Sequence, residues 1–461
     1  MKTNLSSQIT LDRVSPRYYR PDGTIERSVL TRFEKLPTDI YPSIEEGAAE
    51  VALKVASTIR QRQREIRACT IAFSGGATLA EVFNQLVRMH EEEGLSFQNV
   101  VAFVTHEFYP LPADSVQSNL KTLTDQFFSR VDIPSQNIYP LDGSTPQERV
   151  TEHCLAYEKM IEQLGGIDIA LLGIGRMGNI ALNVTGSQRN SHTRLVLLDA
   201  SSRAEAVKVF GSEQNVPVCA ITMGVSTIRQ ARKIYLMAWG DEKADVIKNA
   251  VEGDITDAQS ATFLQMHNNV QVVLDLSSAA NLTRIRRPWL VTSCDWDDKL
   301  IRSAIVWLCQ QTGKPILKLT NKDYNQYGLG ELLALYGSAY EVNIKIFNDL
   351  QHTITGWPGG KPNADDTNRP ERAKPAQKRV IIFSPHPDDD VISMGGTLQR
   401  LVKQKHEVHV AYETSGNIAV GDEEVFRFMH FTKGFNDLFE EGKDEIINGS
   451  ASARCRKTFL F

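Results

Sequence analysis

The sequence predicts an α/β protein: a doubly wound, mostly parallel sheet, followed by a helical connector and a partial second α/β domain. Three observations predict it. Short apolar, β-rich runs recur from residue 69 to residue 276 with amphipathic helical stretches between several of them. A stretch rich in Pro, Gly, Asn and charge follows, and a new strand then opens at residue 379. Runs of this kind alternating with helices require a sheet covered on both faces, whose ligands sit at the carboxyl ends of the strands. A chain of 461 residues also exceeds what one core serves, so more than one domain is expected.

Taken in order, residues 1–39 read as an N-terminal extension. From Ile44 to Ile66 apolar residues recur at helical spacing with charges between them, and the buried run CTIAF follows at once. Further strands are expected at VVAFV (100–104), IDIALLGIG (167–175), RLVLL (194–198), CAITM (219–223), KIYLMAW (233–239) and VQVVLDL (270–276). Helices are expected at TLAEVFNQLVRMHEEE and DEKADVIKNAVEG, which places the first domain at 40–285. Residues 286–356 read as a helical connector. Residues 357–378 are too poor in apolar side chains to fold alone and read as a linker. The strand RVIIFS, the helix TLQRLVKQ and the strand EVHVAY then open a partial domain at 379–461.

Composition excludes several classes. Against 51 basic residues stand 56 acidic ones, a net charge of −5, which favours neither nucleic acid nor a membrane surface as partner. The six cysteines are scattered without a C-x-x-C pair, as expected of reduced thiols in a cytoplasmic protein. The amino terminus lacks the apolar core of a signal peptide, and no apolar run reaches the roughly 18 residues of a membrane helix.

Ser74-Gly75-Gly76 lies between the strand CTIAF and a helix, where backbone amides and a positive helix end can hold a phosphate. A tight turn that simply needs glycine explains it equally well. The order of further segments carries more: FVTHEFYPLP, VDIPSQNIYPLDG, LLGIGRMGNIALNVTGS, AITMGVSTI and GDEKADVIKNAVEG. In that order, over about residues 40–285, the chain resembles glucosamine-6-phosphate deaminase, of the sugar isomerase group that includes 6-phosphogluconolactonase. The resemblance implies conversion of glucosamine 6-phosphate into fructose 6-phosphate and ammonia, without a cofactor, in a homo-oligomer.

That reaction opens a sugar ring and moves a proton between C2 and C1, so it needs a base facing the carbon chain and a relay to the ring oxygen. In the family the base is the aspartate of an Asp-Glu-Tyr triplet. The relay comes from Gly-x-Gly-x-Asp-Gly-His followed by Asn-Glu-Pro. Matched residue by residue, the base position is His106, and Met177, Asn179 and Val184 stand where the relay has aspartate, histidine and glutamate. Methionine and valine have no exchangeable proton and asparagine does not titrate. His106 is the one substitute base among the four; Glu107, its neighbour in an extended segment, should point to the opposite side.

The implied phosphate-handling positions fare better. Ser74, Gly75, Gly76 and Lys243 match, and Lys208 stands where an arginine is expected, a point charge in place of a planar fork. Ala77 replaces a hydroxyl residue of the loop. Read without the resemblance, Lys243 is a solvated charge near a helix start.

Pro385-His386-Pro387-Asp388-Asp389-Asp390, directly after RVIIFS, resembles the zinc motif of amino-sugar de-N-acetylases of the glycosylphosphatidylinositol pathway. The resemblance implies His386 and Asp389 as zinc ligands and Asp388 as base toward a metal-bound water. The family's third ligand is a late histidine, and His406, His409 and His430 all come too soon to match it, so weak zinc binding at an incomplete site is expected. Only 83 residues run from Arg379 to Phe461, fewer than the roughly 100–150 of a complete domain, so the chain is expected to be cut short of a longer two-enzyme architecture. Three functions are in play: a deaminase using His106, a non-catalytic or regulatory protein that binds a phosphorylated amino sugar, and a 6-phosphogluconolactonase-like hydrolase, which would depend on the histidine that is Asn179 here.

Overall fold

The computed structural model describes residues 14–112, 114–351, 377–414 and 422–439. The chain divides into two compact units, Met1–Trp296 and Asp297–Phe461.

The first unit is built on a seven-stranded sheet. Its strands are β1 (Thr38–Tyr41), β2 (Cys69–Phe73), β3 (Val100–Val104), β5 (Ile138–Tyr139), β6 (Ile169–Gly173), β9 (Lys233–Ala238) and β10 (Val270–Asp275). They lie in the order β1-β10-β9-β6-β2-β3-β5, every neighbouring pair parallel. Alternate side chains serve opposite cores. Ala72, Phe103, Leu172 and Leu236 join one buried cluster, whereas Phe73, Ala102, Leu171 and Met237, one residue along, join the other. That two-sided burial is why these strands read as unbroken apolar runs.

The helix Ile44–Arg64 shows why the flanking segments are helical. The Ser43 side chain accepts from the Glu46 N–H, Glu45 and Glu46 lie in the first turn, and Arg62 and Arg64 lie in the last. Its buried residues, from Ala48 through Val51, Val55 and Ile59, recur at three- and four-residue spacing. The helix Ala80–Glu93 packs beside it, and Phe73, Phe83 and Phe127 meet beneath with ring centroids 5.1–6.1 Å apart.

Two expectations change. The runs at 194–198 and 219–223 are strands, yet not of the parallel sheet: β7 (Arg194–Leu197) and β8 (Cys219–Thr222) join β4 (His106–Tyr109) in a separate antiparallel sheet ordered β4-β8-β7. Leu197 is 70% exposed, and a strand wet on one side belongs in an antiparallel sheet. Periodicity predicts a strand but not its partner. The boundaries at 39/40 and 285/286 also move outward. β1 straddles the first and pairs with β10; Tyr18 and Leu30 pack against Val291 beyond the second. These contacts join chain ends more than 200 residues apart, which no local pattern signals.

The second unit opens with the helices Asp298–Thr312, Asn321–Gln326, Gly330–Tyr336 and Ala339–Gln351. Asp297 caps the first, and Thr320 with Asp323 forms a reciprocal capping box on the second. Further on, β11 (Arg379–Ser384) and β12 (Glu407–Tyr412) pair in parallel, with the helix Gly395–Lys403 between them in sequence and the helix Asp422–Phe439 after. The expected linker lies outside the described residues as far as 376, as does the tail from 440. Among the described residues no helix is long and apolar enough to cross a membrane.

Candidate functional site

Because the strands are parallel, their carboxyl ends share one edge. In the register Phe73 lies opposite Val104 and Leu171, and Gly173 lies opposite Met237. The loops that begin at Ser74, Thr105, Ile174 and Trp239 therefore leave the sheet side by side. The first is tied to its neighbours: Ser74 N donates to Leu171 O at 3.1 Å, and Trp239 Nε1 donates to Thr78 O at 2.7 Å. Its glycines are required. Gly76 has φ +107°, and a side chain at Gly75 would collide with the Asn119 amide.

His106 opens β4 opposite Thr222 and is 8% exposed. Its Nδ1 lies 2.9 Å from Thr105 Oγ1, and burial pushes its pKa down to about 4. The folded protein thus holds a neutral imidazole where the unfolded chain would take up a proton near pH 6.5. The resulting stability is present above that pH and is lost as pH falls toward 4. Between those limits the wild-type unfolding free energy should drop by about 3 kcal/mol more than that of His106→Gln in urea titrations. Parallel profiles would refute the assignment.

Glu107 faces the other way. Its buried carboxylate accepts from Phe108 N (3.0 Å), Ser118 Oγ (2.7 Å), Asn119 N (3.0 Å) and Leu120 N (3.1 Å), and so caps the helix Asn119–Gln126. Every oxygen is committed, as the opposite-side argument anticipates.

The segment 174–184 is equally built. A bridge pairs Ile174 with Ile180, and Gly175 N and Gly178 N close the turn through Asn179 O and Gly175 O, both at 2.9 Å. Met177, in this turn, is 46% exposed. Asn179 is buried, donates to Ala181 O at 3.0 Å and lies over Gly175. Asn183 ties the segment down: its amide donates to Ile180 O and Met223 O and accepts from Arg194 Nη1 at 3.0 Å. Val184 packs against the apolar cluster of Phe108, Leu111 and Val196.

Of the basic residues, Lys243 immediately precedes the helix Ala244–Glu252, with its side chain 12% exposed and its Nζ 3.6 Å from Glu205 Oε1. Arg176, next to Met177, brings its Nε to 3.4 Å from the same oxygen and pairs with Glu242 at 2.7 Å. Ser74, Asn179 and Lys243 thus stand in segments that leave neighbouring strand ends, and His106 opens β4 just after β3 ends. Lys208 sits exposed on the helix Ala200–Phe210, three residues past Glu205; among the described residues no hydrogen bond or ion pair joins it to the others. Arg176, Glu205 and Asn119 are additions that sequence reasoning missed. A charged residue in the relay loop was a visible signal for Arg176; Glu205 and Asn119 had none.

The family model for glucosamine-6-phosphate isomerases/6-phosphogluconolactonase matches residues 42–273, half of the chain. The chain belongs to this family. A glucosamine-6-phosphate deaminase-like protein of Bacteroides thetaiotaomicron is 66% identical over 448 residues, 97% of this chain and 68% of that protein. The glucosamine-6-phosphate deaminase of Corynebacterium urealyticum is 37% identical over 239 residues, 52% of this chain and 91% of that protein. Among solved structures, a monomeric glucosamine-6-phosphate deaminase superposes with a TM-score of 0.51 at 30% identity, over 53% of this chain and all of that one.

The model for GlcNAc-PI de-N-acetylase matches residues 381–437. There His386 Nδ1 and Asp389 Oδ2 lie 2.9 Å apart, within hydrogen-bond reach of each other, and Asp388 is exposed beside them. His409 pairs with Glu407 in β12, and His406 Nδ1 accepts from Lys378 N. Among the described residues no group of three His, Cys, Asp or Glu side chains could hold a metal.

Proposed function

We infer that this protein binds a phosphorylated amino sugar, glucosamine 6-phosphate in the first instance, at the carboxyl edge of the parallel sheet, and that it lacks the proton relay that would deaminate it. One observation carries the reading. The loops expected to hold the phosphate retain Gly75, packed against Asn119, Gly76 at φ +107°, and Lys243, whereas Met177, Asn179 and Val184 are respectively exposed, hydrogen-bonded to backbone and packed in apolar surroundings. Ring opening needs a titrating group at the ring oxygen, and none of those three side chains titrates. The protein then acts as a non-catalytic or regulatory member of amino-sugar metabolism, cytoplasmic and homo-oligomeric.

A second reading rests on His106. An imidazole held at about 4 is as weak a base as the aspartate it replaces, without the negative charge. It would serve C2 deprotonation in a slow deaminase. Calorimetry with glucosamine 6-phosphate and 6-phosphogluconate, beside an ammonia assay, separates the readings. The expected result is binding of the amino sugar without ammonia, weakened about tenfold or more in Lys243→Met. Ammonia release abolished in His106→Ala would establish the second reading. Hydrolysis of 6-phosphogluconolactone would favour the lactonase class, and binding of neither ligand would remove the sugar-phosphate reading.

A further inference from the structure

We propose that Glu205 is a built-in competitor for the phosphate-binding cations, occupying with its carboxylate the position between Lys243 and Arg176 that a ligand phosphate takes. The inference deepens the reading above and rests on it.

Lys243 is a mostly buried cation at the start of a nine-residue helix, where the backbone adds its own positive potential. Such a charge calls for a counter-charge, and among the described residues the carboxylate within 4 Å of its Nζ is Glu205. The same Glu205 oxygen also lies 3.4 Å from Arg176 Nε. Both distances, 3.6 and 3.4 Å, exceed the roughly 2.7–2.9 Å of a charge-assisted hydrogen bond. Among the described residues Glu205 is therefore held by attraction and not by committed hydrogen bonds. By contrast, Arg176 makes its short contact, 2.7 Å, with Glu242.

The helix that carries Glu205 is anchored independently of it. Ala206 and Phe210 face the apolar cluster on the antiparallel sheet, and Phe210 meets Phe108 edge-on at a centroid distance of 5.0 Å. Glu205, 32% exposed at its side chain, can rotate into solvent without moving that helix. A phosphate monoester carries about −1.5 to −2 at neutral pH, so it outcompetes a single carboxylate, while a monoanion only exchanges one charge for another.

Calorimetry on the full chain with glucosamine 6-phosphate and with unphosphorylated glucosamine tests this. In Glu205→Gln the phosphorylated sugar should bind about five- to tenfold more tightly, with a steeper salt dependence, and glucosamine should be unaffected. Glu205→Asp, too short to reach both cations, should fall between, and it supplies the test if the glutamine variant does not fold. Unchanged or weaker binding in folded Glu205 variants, with Lys243→Met still weakened, would overturn the competitor role and leave the proposed function standing. Absence of binding in the wild type and in every Glu205 variant would remove the sugar-phosphate reading, and this inference with it.

Discussion

The combined variant His106→Asp, Met177→Asp, Asn179→His and Val184→Glu releases ammonia from glucosamine 6-phosphate at least about 100-fold faster than the wild-type chain, the lower end of what positioned acid–base groups contribute. The expectation depends on the frame around the four positions. Gly173, Gly175 and Gly178 keep the turn, Asn183 ties it to Ile180, Met223 and Arg194, and Ser74 and Lys243 stand on adjacent loops. Met177 is open to solvent and accepts a carboxylate readily. Asn179 lies against Gly175, so the larger imidazole must turn away from that backbone. Val184→Glu is the costly change, since it sets a charge against Phe108 and Leu111 and should lower stability by about 1–3 kcal/mol. The proper readout is therefore steady-state ammonia release together with a melting curve. A folded quadruple variant no faster than the wild type would mean that the cleft itself has changed shape.

Glu107→Ala should destabilise the first unit by about 3–5 kcal/mol, because it strips four donors of one buried carboxylate. For a unit of this size that corresponds to a fall in Tm of about 10 °C. Glu107→Gln keeps one acceptor oxygen and should lose roughly half as much, whereas Met177→Ala, at an exposed position, should stay within about 0.5 kcal/mol of wild type. Scanning calorimetry of the three variants decides it. If Glu107→Ala melts with the wild type, the carboxylate does not organise the helix Asn119–Gln126, and its position beside His106 needs another explanation.

Legibility followed burial and chain distance. The two-face buried strands β2, β3, β6, β9 and β10 were plain in the sequence because, apart from Lys233, Gln271 and Asp275, their residues are apolar or small. β1, β4 and β5 were not, since TDIY, HEFY and IY owe their conformation to partners: β1 to β10, β4 to β8, and β5 to β3. Likewise the order of motifs singled out His106 by resemblance, but its low pKa arises from burial that only the assembled sheets create. Glu205 gave no signal at all, being one charge on a half-exposed helix.

By itself, then, the sequence determined the family and the parallel α/β architecture, because residue chemistry and motif order are local properties. The tertiary structure alone decided which strands pair, that residues 14–39 complete the first unit, that Glu107 caps the helix Asn119–Gln126, and that one Glu205 oxygen lies near both Lys243 and Arg176. Each of these depends on groups far apart in the chain meeting at a few ångströms. Electrostatic and hydrogen-bond energies are set at that range, and sequence spacing does not encode it.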